Sequence, residues 1–255
     1  MNLGDSVSLV TGASRRLGKQ IATSLARRGS RIAVHFGSSR EPAEATAAEI
    51  RDLGVEAEPF GADLGRPVEI DRLFQRIGER FGRLDVLVNS AASFEREAFE
   101  RIGADAWDEV LALNLRGPFL CLQRAAALMR AVERDGGSPA AVINIADLSG
   151  MLAWSDQAHH GVSKAALLHL TRLAARDLAP AVRVNAVVPG AILPPPGMAE
   201  DDPAWQETIG RLPLRRAGSG AEVGEAVVFL ATNDFVTGAT LVVDGGESLL
   251  GAGHH

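Results

Sequence analysis

Short apolar runs alternate with longer stretches of helical periodicity along this chain, and this alternation constrains the fold more than any other feature of the sequence. The runs expected to form strands cover residues 7–10, 32–36, 55–60, 84–89, 141–146, 182–188 and 240–244. The helical patterns cover residues 17–26, 41–53, 67–81, 105–133, 157–178 and, after a capping-box sequence at 219–222, a stretch to about 231. Strand–helix alternation predicts βαβ units, whose right-handed crossovers place helices on both faces of a sheet. We therefore expect an α/β protein with a doubly wound, mostly parallel seven-stranded sheet.

The 255 residues fit one domain, 1–255, because neither a linker nor an internal repeat interrupts the alternation. The loop after the sixth predicted strand is unusual. It runs from Pro189 to Pro203 and carries prolines or glycines at positions 190, 194, 195, 196 and 197. Routine connections are shorter and more regular. Because doubly wound sheets bind ligands beyond the carboxyl ends of their strands, we interpret residues 190–215 as a lid-like substrate segment.

The charge balance argues against several classes of partner. The 26 basic and 32 acidic residues give a net charge of −6, which is not typical of a protein that binds nucleic acid through a basic surface. No apolar run reaches the roughly 18 residues of a membrane span, and the first residues lack the basic region of a signal peptide. The single cysteine, Cys121, excludes an internal disulfide framework and is interpreted as buried packing. We expect a cytoplasmic protein that binds neither nucleic acid nor membranes, and we predict no metal site.

A glycine-bearing turn joins the first predicted strand to the first helix, with the sequence Thr11-Gly12-Ala13-Ser14-Arg15-Arg16-Leu17-Gly18. Gly12 permits a tight turn, and Gly18 allows the helix to approach the strand or a ligand closely. The start of the helix offers free N–H groups and a partial positive charge to a pyrophosphate. A turn of this kind without a nucleotide is the alternative, but its place as the first βα turn of a repeating α/β chain favours dinucleotide binding.

Further motifs follow in order along almost the whole chain. They are Thr11-Gly12 with Gly18, Asp63-Leu64, Asn89-Ser90-Ala91-Ala92, Asn114, the spacing of residues 147, 160 and 164, Pro189-Gly190 and Val243-Asp244-Gly245-Gly246. Together they resemble the short-chain dehydrogenase/reductase family. Within that family, three details are similar to pteridine reductases: Arg16-Leu17-Gly18, Ser93-Phe94, and Asp147 at a position usually held by serine. The resemblance implies a Rossmann fold and a reductase that transfers hydride from a nicotinamide cofactor.

The end of the second predicted strand indicates which nicotinamide cofactor is used. Enzymes of this fold that use NAD place an acidic residue there, whereas this chain has none before Glu41. Candidate partners for a 2′-phosphate are Arg15, Arg16, Arg40, Ser38 and Ser39. Solvated arginines are the alternative, and we predict NADP(H). With the residues that the family resemblance implies, the predicted cofactor site is Gly12, Ser14, Arg15, Arg16, Leu17, Gly18, Ser38, Ser39, Arg40, Asp63, Leu64, Asn89, Ala91, Lys164, Pro189, Gly190 and Ile192.

The resemblance also implies a set of catalytic residues, one of which departs from the family. The family has a tyrosine four residues before a lysine, and here His160 stands four residues before Lys164. This spacing puts both side chains on one face of a helix. By the same resemblance, Lys164 binds the nicotinamide ribose, Asp147 is the third active-site group and Asn114 anchors a water relay. Imidazole has an unperturbed pKa near ~6.5 and can donate a proton readily.

The absence of tyrosine from the chain leaves three interpretations open. In the first, His160 or Asp147 is the proton donor of an active reductase. In the second, the substrate needs little acid help, as a pterin-like C=N bond would. In the third, catalysis is lost and the fold binds a nucleotide or a partner. We expect a small-molecule substrate, either a dihydropterin, a dihydrofolate or another flat carbonyl or imine compound, with a 3-oxoacyl or ketone reductase as the alternative.

A substrate pocket and an oligomer complete the expectations. The predicted substrate contacts are Ser93, Phe94, Asp147, Trp154, Leu193, Met198 and Trp205. Stacking of Phe94 on the nicotinamide and plain packing are weighted equally, and the apolar residues fit a pocket wall, the core or an oligomer contact. His159 is interpreted as a surface residue at a helix start. The faces of the helices at 105–133 and 157–178 resemble the family's oligomer-forming surfaces, so we expect a homotetramer or homodimer.

Overall fold

A seven-stranded sheet organises the chain, of which the computed structural model describes residues 1–132, 137–195 and 197–250. The strands are β1 (Val7–Val10), β2 (Arg31–Phe36), β3 (Ala57–Gly61), β4 (Val86–Asn89), β5 (Ala140–Ile145), β6 (Val182–Pro189) and β7 (Thr240–Val243). Their spatial order is β3-β2-β1-β4-β5-β6-β7, and every neighbouring pair is parallel. The expected α/β fold with a doubly wound sheet is confirmed, and the sheet is parallel throughout.

The direction of winding reverses between β1 and β4, which are hydrogen-bonded neighbours. Val10 of β1 pairs with Val34 on one side and with Val88 on the other. Crossovers on the two sides of this point run in opposite directions, so the loops after β1 and β4 diverge and leave a crevice at the carboxyl edge of the sheet. Of the predicted site residues, Asn89 is the last residue of β4, and Gly12 and Asp147 follow β1 and β5, which end at the same edge.

Two helical layers cover the sheet. The helices are α1 (Arg16–Ala26), α2 (Arg40–Arg51), α3 (Pro67–Phe81), α4 (Ala104–Leu111), α5 (Gly117–Arg130), α6 (Ala158–Asp177), α7 (Pro203–Arg211) and α8 (Gly220–Thr232). Side chains of α1, α2 and α8 share one buried apolar cluster, and those of α3, α5 and α6 share another. Cys121 of α5 is fully buried in the second cluster, as expected, and burial raises the pKa of its thiol to about 12.

The helix expected at 105–133 is not continuous. It consists of α4, a five-residue π-helical turn at Ala112–Arg116, and α5. Pro118 near the start of α5 has no N–H to donate, and the backbone N–H of Gly117 bonds the carbonyl of Ala112 instead of a residue four positions back. This turn places Asn114 in a fully buried position. The predicted end of that helix at residue 133 lies outside the described residues, as do Pro196 and the predicted domain end at 255.

The 190–215 segment, interpreted above as lid-like, contains a helix, α7. Pro203 occupies its first turn and the Asp202 carboxylate accepts the Ala204 N–H at 2.9 Å, so two short-range signals start the helix inside a loop. Trp205 anchors α7 by its buried ring. Throughout the three described ranges, no helix has both the length and the apolar character to cross a bilayer.

Candidate active site

The first βα turn brings backbone against backbone at both of its glycines. Gly12 has a φ of +67°, and a Cβ there would lie 3.0 Å from the Cα of Ala91. A Cβ on Gly18 would lie 2.3 Å from the carbonyl oxygen of Gly12. Helix α1 therefore starts directly against the turn. Arg15, at its N-cap position, makes no side-chain cap, and its first turn contains no acidic residue. No carboxylate of that turn therefore competes with a ligand for the N–H groups at the start of α1.

The buried ring of His35 holds this turn in place, and the sequence analysis did not predict this role. Its ring is 2% exposed; Nδ1 accepts the Gly12 N–H at 3.1 Å and Nε2 donates to the carbonyl of Ala62 at 2.9 Å. Both ring nitrogens are satisfied only in the neutral form protonated at Nε2. Burial lowers the pKa of His35 to about 4, although the Ala62 carbonyl favours the charged form. A histidine at an inward-facing strand position, just before the glycine-containing loop, was the available signal.

The three arginines expected at the cofactor 2′-phosphate have different surroundings. Arg16 has a φ of +52° and donates from Nη2 to the carbonyl of Pro194 at 2.6 Å, so its guanidinium reaches the 190–215 segment. Arg40 is exposed, pairs with Glu44 at 3.0 Å and lies 6.0 Å from the centre of the Phe36 ring. Arg15 is exposed beside the turn. A positive φ is a conformation that glycine adopts at little cost and that other residues rarely adopt.

A buried polar chain supports the crevice wall between β4 and β5. Thr11 Oγ1 accepts the N–H groups of Ser90 and Ala91 at 2.9 and 3.0 Å, joining the ends of β1 and β4. Asn89 donates from Nδ2 to Asn144 Oδ1 at 2.9 Å, and Asn144 donates onward to Thr171 on α6. The Oδ1 atom of Asn89 is buried and has no hydrogen-bond partner within the described part of the chain. An unpaired buried acceptor at this edge is suited to a ligand hydroxyl.

His160 and Asp147 face each other at the centre of the site. His160 Nδ1 donates to the Ser93 carbonyl at 3.0 Å, because a carbonyl oxygen can only accept. The other ring nitrogen, Nε2, is buried and lies 3.8 Å from Asp147 Oδ2. Asp147 Oδ1 accepts the Ser149 N–H at 2.7 Å, which orients the carboxylate. The structure thus presents one imidazole nitrogen to a bonded carbonyl and the other to a carboxylate.

Asn114 and Lys164 complete the group of predicted catalytic residues. Asn114 exchanges two hydrogen bonds with the Ser93 backbone, at 2.9 and 3.0 Å, and so holds the carbonyl to which His160 donates. Its amide also donates to Ser163 Oγ at 3.3 Å, a residue that the sequence analysis missed. Lys164 is buried and donates to the carbonyl of Ile145 at 3.0 Å. All four predicted catalytic side chains lie on the elements that meet at the carboxyl ends of β4 and β5.

Burial and charge set the protonation of two of these groups. Burial of Asp147 favours its neutral form, but the His160 ring 3.8 Å away and the hydrogen bond from the Ser149 N–H outweigh that effect and lower its pKa to about 2. Burial lowers the pKa of Lys164 to about 8, and the nearby Asp147 charge opposes this shift. Near neutral pH the site therefore holds a carboxylate and an ammonium group.

The predicted substrate residues do not all converge. Phe94 meets the His160 ring edge-on, with ring centres 4.9 Å apart, and is 45% exposed at the mouth of the site. Trp154 instead packs against the small buried cluster of Ala146, Leu148 and Val188. Leu193 and Ile192 lie against the apolar cluster under α1 and α8, whereas Met198 is half-buried in the 190–215 segment. Ser93 contributes its backbone to the site, and its buried Oγ has no partner within the described part of the chain.

One residue in this region is misplaced by the sequence analysis. His159 was expected on the surface, but it is 1% exposed. A residue in the first turn of a helix is solvated only if that end of the helix is free. Here the 147–157 connection lies against the start of α6, since a Cβ on Gly161 would lie 3.0 Å from the carbonyl oxygen of Ser149.

Comparison with known proteins decides the family. The family model described as enoyl-(acyl carrier protein) reductase matches residues 12–248. The 3-oxoacyl-[acyl-carrier-protein] reductase FabG of Staphylococcus epidermidis is 35% identical over 242 residues, which cover 94% of this chain and 97% of that protein. The chain belongs to the short-chain dehydrogenase/reductase family. The expected closeness to pteridine reductases within the family stays a prediction.

Solved structures of short-chain dehydrogenase/reductases have the same architecture. A short-chain dehydrogenase from Burkholderia cenocepacia in complex with NADP superimposes with a TM-score of 0.88 at 29% identity, covering 97% of this chain and 100% of that one. FolM alternative dihydrofolate reductase 1 from Brucella canis, also complexed with NADP, gives 0.87 at 32% identity, with 97% and 96% covered. Similar proteins thus bind NADP, and this short-chain dehydrogenase/reductase is an oxidoreductase by family.

The residues of this chain fit such a cofactor. The two glycines leave no room for a Cβ where the turn approaches Ala91 and α1, and the start of α1 is free of acidic side chains in its first turn. The unpaired Asn89 Oδ1 provides an acceptor for a ribose hydroxyl. Gly12, Asn89 and Lys164 would hold the dinucleotide from its diphosphate to its nicotinamide ribose.

Proposed function

We propose that this chain is an NADPH-dependent reductase of small carbonyl or imine compounds, with His160 as proton donor. The observation that carries the proposal is that each nitrogen of the His160 ring faces an oxygen atom of the site. Its Nδ1 is fixed on the Ser93 carbonyl at 3.0 Å, while its Nε2 lies 3.8 Å from the Asp147 carboxylate. Because Nδ1 keeps its proton on the Ser93 carbonyl, Nε2 carries a proton only in the imidazolium form, and that proton lies beside a carboxylate and within a crevice that fits the cofactor.

The residues of the site divide the work of the reaction. NADPH, when bound, supplies the hydride that reduces the substrate carbon. His160 Nε2 gives its proton to the substrate oxygen or nitrogen that gains the electron pair, and Nδ1 keeps its proton on Ser93. Asp147 remains ionised because its pKa is about 2, so it orients the imidazole and does not donate. Lys164 contributes positive charge near the cofactor ribose. This assignment selects His160 from the two donors that the sequence left open.

The substrate class is drawn from two observations. Relatives at 35% identity are named 3-oxoacyl-[acyl-carrier-protein] reductases. Their names favour a 3-oxoacyl or ketone substrate over the pterin that was first expected. A pterin-like substrate is the second candidate, because Asp147 presents a carboxylate that can accept N–H groups, and the similar FolM protein is called a dihydrofolate reductase. An exposed Phe94 at the mouth of the site suits a flat substrate in either case.

The cofactor preference and the assembly are also proposed. Exposed Arg15 and Arg40 and the absence of an acid at the end of β2 support a 2′-phosphate, hence NADPH over NADH. Arg16 is placed on the 190–215 segment instead, through its bond to Pro194. We also propose a homodimer or homotetramer built on α5 and α6, in the cytoplasm.

Oxidation of NADPH by the purified protein tests the function. The panel contains a 3-oxoacyl thioester, small ketones, quinones and dihydropterins, each with NADPH and with NADH. We expect turnover of a carbonyl compound with NADPH, and His160→Ala is expected to lower kcat by about 100-fold because general acid catalysis contributes that much. His160→Tyr, which restores the usual family donor, is the matched variant and should retain activity.

Three results would contradict the proposal. An unchanged rate in His160→Ala would remove histidine as the donor. Equal kcat/KM with both cofactors would reject the NADPH preference. Binding of NADPH without any turnover, combined with an active His160→Tyr variant, would support a catalytically silent nucleotide-binding protein.

A further inference from the structure

The turn after β7 is braced by its own first residue. The Asp244 carboxylate accepts the N–H groups of Gly246 and Ser248, at 2.9 and 2.8 Å. Gly245 and Gly246 have φ values of +63° and +88°, so the chain bends sharply here before the short 3₁₀ helix at Glu247–Leu250. The bend directs the Glu247 side chain back towards the end of β6, where the 190–215 segment begins.

Glu247 holds the start of that segment. It is 4% exposed, and its Oε2 atom accepts the Ala191 N–H at 2.7 Å. The approach is close enough that a Cβ on Gly190 would lie 2.5 Å from the same oxygen and 2.7 Å from the Cβ of Asp244. Gly190 is therefore required by this contact. The residues held in place are those that follow β6 at the carboxyl edge of the sheet.

The same turn also holds the other end of the segment. The Leu214 N–H donates to the Gly245 carbonyl at 3.1 Å, and Pro213 packs so closely that a Cβ on Gly246 would lie 2.7 Å from its Cγ. The Ala191 carbonyl accepts the Gly218 N–H at 2.9 Å, which ties the two ends directly to each other. The segment that carries α7 thus leaves and rejoins the fold at one place, and Glu247 lies beneath it.

The hydrogen bond from the Ala191 N–H does not depend on the charge of Glu247. Burial raises the pKa of its carboxyl, and the negative charges of Asp244 and Asp147 raise it further, while the Ala191 N–H opposes them. Burying a carboxyl costs free energy that an apolar side chain in the same place would not. The useful feature is an acceptor oxygen at a fixed point, which the neutral and charged forms both have, and which glutamine also has.

We propose that Glu247 is a positioning residue that fixes the base of the 190–215 segment over the site through its bond to Ala191. Its consequence for catalysis rests on the proposed function, with Gly190 and Ile192 among the cofactor contacts that the family resemblance implies. A segment whose base is free closes over the site in more than one arrangement, so the hydride-transfer geometry is populated less often. The adenosine end of the cofactor, held by the first βα turn, is unaffected.

Amide hydrogen exchange and steady-state kinetics on the full chain test this role. In Glu247→Leu, exchange of the Ala191 amide and of the 190–215 segment should become about tenfold faster, as expected for loss of one hydrogen bond. We expect kcat to fall about tenfold as well, with the NADPH dissociation constant, measured by fluorescence titration, changing less than about threefold. Glu247→Gln keeps the acceptor and should stay within about threefold of the wild type in both measurements. Glu225→Leu, an exposed glutamate of α8, is the control.

The outcomes separate this inference from the proposed function. Unchanged exchange at 190–215 in Glu247→Leu overturns it. So does faster exchange over the whole chain, which shows a merely structural role, and so does failure of Glu247→Gln to restore the segment. If the wild type reduces no substrate, the proposed function fails and the exchange pattern alone decides the positioning role. If Glu247→Leu does not fold, Glu247→Ala removes the acceptor with a smaller change in shape.

Discussion

The most unusual residue of the site, His160, is held by a backbone carbonyl. Its Nδ1 proton lies on the Ser93 carbonyl, and Asn114 in turn holds Ser93 from both sides. This arrangement keeps a proton on Nδ1, because a carbonyl cannot donate, so the proton that the proposal assigns to Nε2 belongs to the imidazolium form. An imidazole is shorter than a phenol, and the carboxylate of Asp147 stands where it faces the remaining nitrogen. The two side chains at which the sequence analysis expected a departure from the family pattern thus lie next to each other.

The pKa of Lys164 predicts an alkaline limit to activity. Because burial lowers this pKa to about 8, the ammonium form is present below that pH and is lost above it. We expect kcat/KM, which reports the free enzyme, to fall about tenfold per pH unit above about pH 8. Lys164→Arg keeps the charge at all accessible pH values, so its profile should lack this limb even if its rate is lower. A limb of identical position in both proteins would contradict the assignment.

The buried neutral ring of His35 predicts a loss of stability in acid. Its pKa in the folded state is about 4, against about 6.5 in an unfolded chain, so the unfolded state binds the extra proton between these values. Stability is therefore unaffected above about pH 6.5 and falls as the pH decreases towards 4, by about 3 kcal/mol. His35→Gln can make both hydrogen bonds without titrating. Urea unfolding at pH 7 and pH 4 should show the smaller loss in the variant, and parallel losses would refute the prediction.

At the scale of elements, the phosphate-binding turn depends on how closely α1 approaches β1. The first turn of α1 lacks both a side-chain cap and an acidic residue, so its N–H groups are available to an anion. By contrast, α8 begins with a complete capping box formed by Ser219 and Glu222. Two helices of one chain therefore differ at their starts, and the difference matches the proposed location of the diphosphate.

Gly18→Ala tests this approach. Its Cβ would lie 2.3 Å from the Gly12 oxygen, 2.8 Å from the Gly12 carbonyl carbon and 3.1 Å from the Cα of Ala13, all of them backbone atoms that cannot rotate away. We expect a loss of about 1–3 kcal/mol in the free energy of unfolding and weaker NADPH binding. Gly210→Ala, in α7 with no atom near the added Cβ, is the control and should not lower stability. Thermal unfolding and fluorescence titration give both quantities, and wild-type values for Gly18→Ala would contradict the prediction.

At the scale of the whole molecule, the outer helical layer leaves apolar side chains uncovered. Phe119 on α5 and Val162 and Leu173 on α6 are between 42% and 50% exposed. A cleft of about 1070 Å³ is lined by residues of α4, the π-helical turn and α5, including Phe119, by Leu170 of α6, and by Asp63, Gly65, Arg66, Ser93 and Glu95 of the loops after β3 and β4. Exposed apolar residues grouped on neighbouring helices are typical of an interface between subunits. This surface supports the proposed dimer or tetramer.

Leu173→Asp is expected to dissociate the oligomer. A carboxylate that is buried at a subunit interface loses its hydration and gains no partner in return. The associated state is therefore less favourable, and we expect the dissociation constant of the oligomer to rise several-fold or more. Leu53→Asp, at an exposed position beyond α2, is the control and should keep the wild-type mass. Light scattering measures the mass directly. A monomeric wild type, or an unchanged oligomer in Leu173→Asp, would contradict the proposed surface.

The sequence by itself determined the alternation, the strand and helix types, the first βα turn and the residues that meet at the carboxyl edge, since periodicity and glycine placement are local properties. Only the tertiary structure decided that Asn114 lies in a π-helical turn, that His159 is buried, that Arg16 reaches Pro194, and that His35 and Glu247 support the site from behind. These facts depend on contacts between residues far apart in the chain. Such contacts leave no periodic signal in a single sequence, because the packing of the helices and strands determines which distant residues meet.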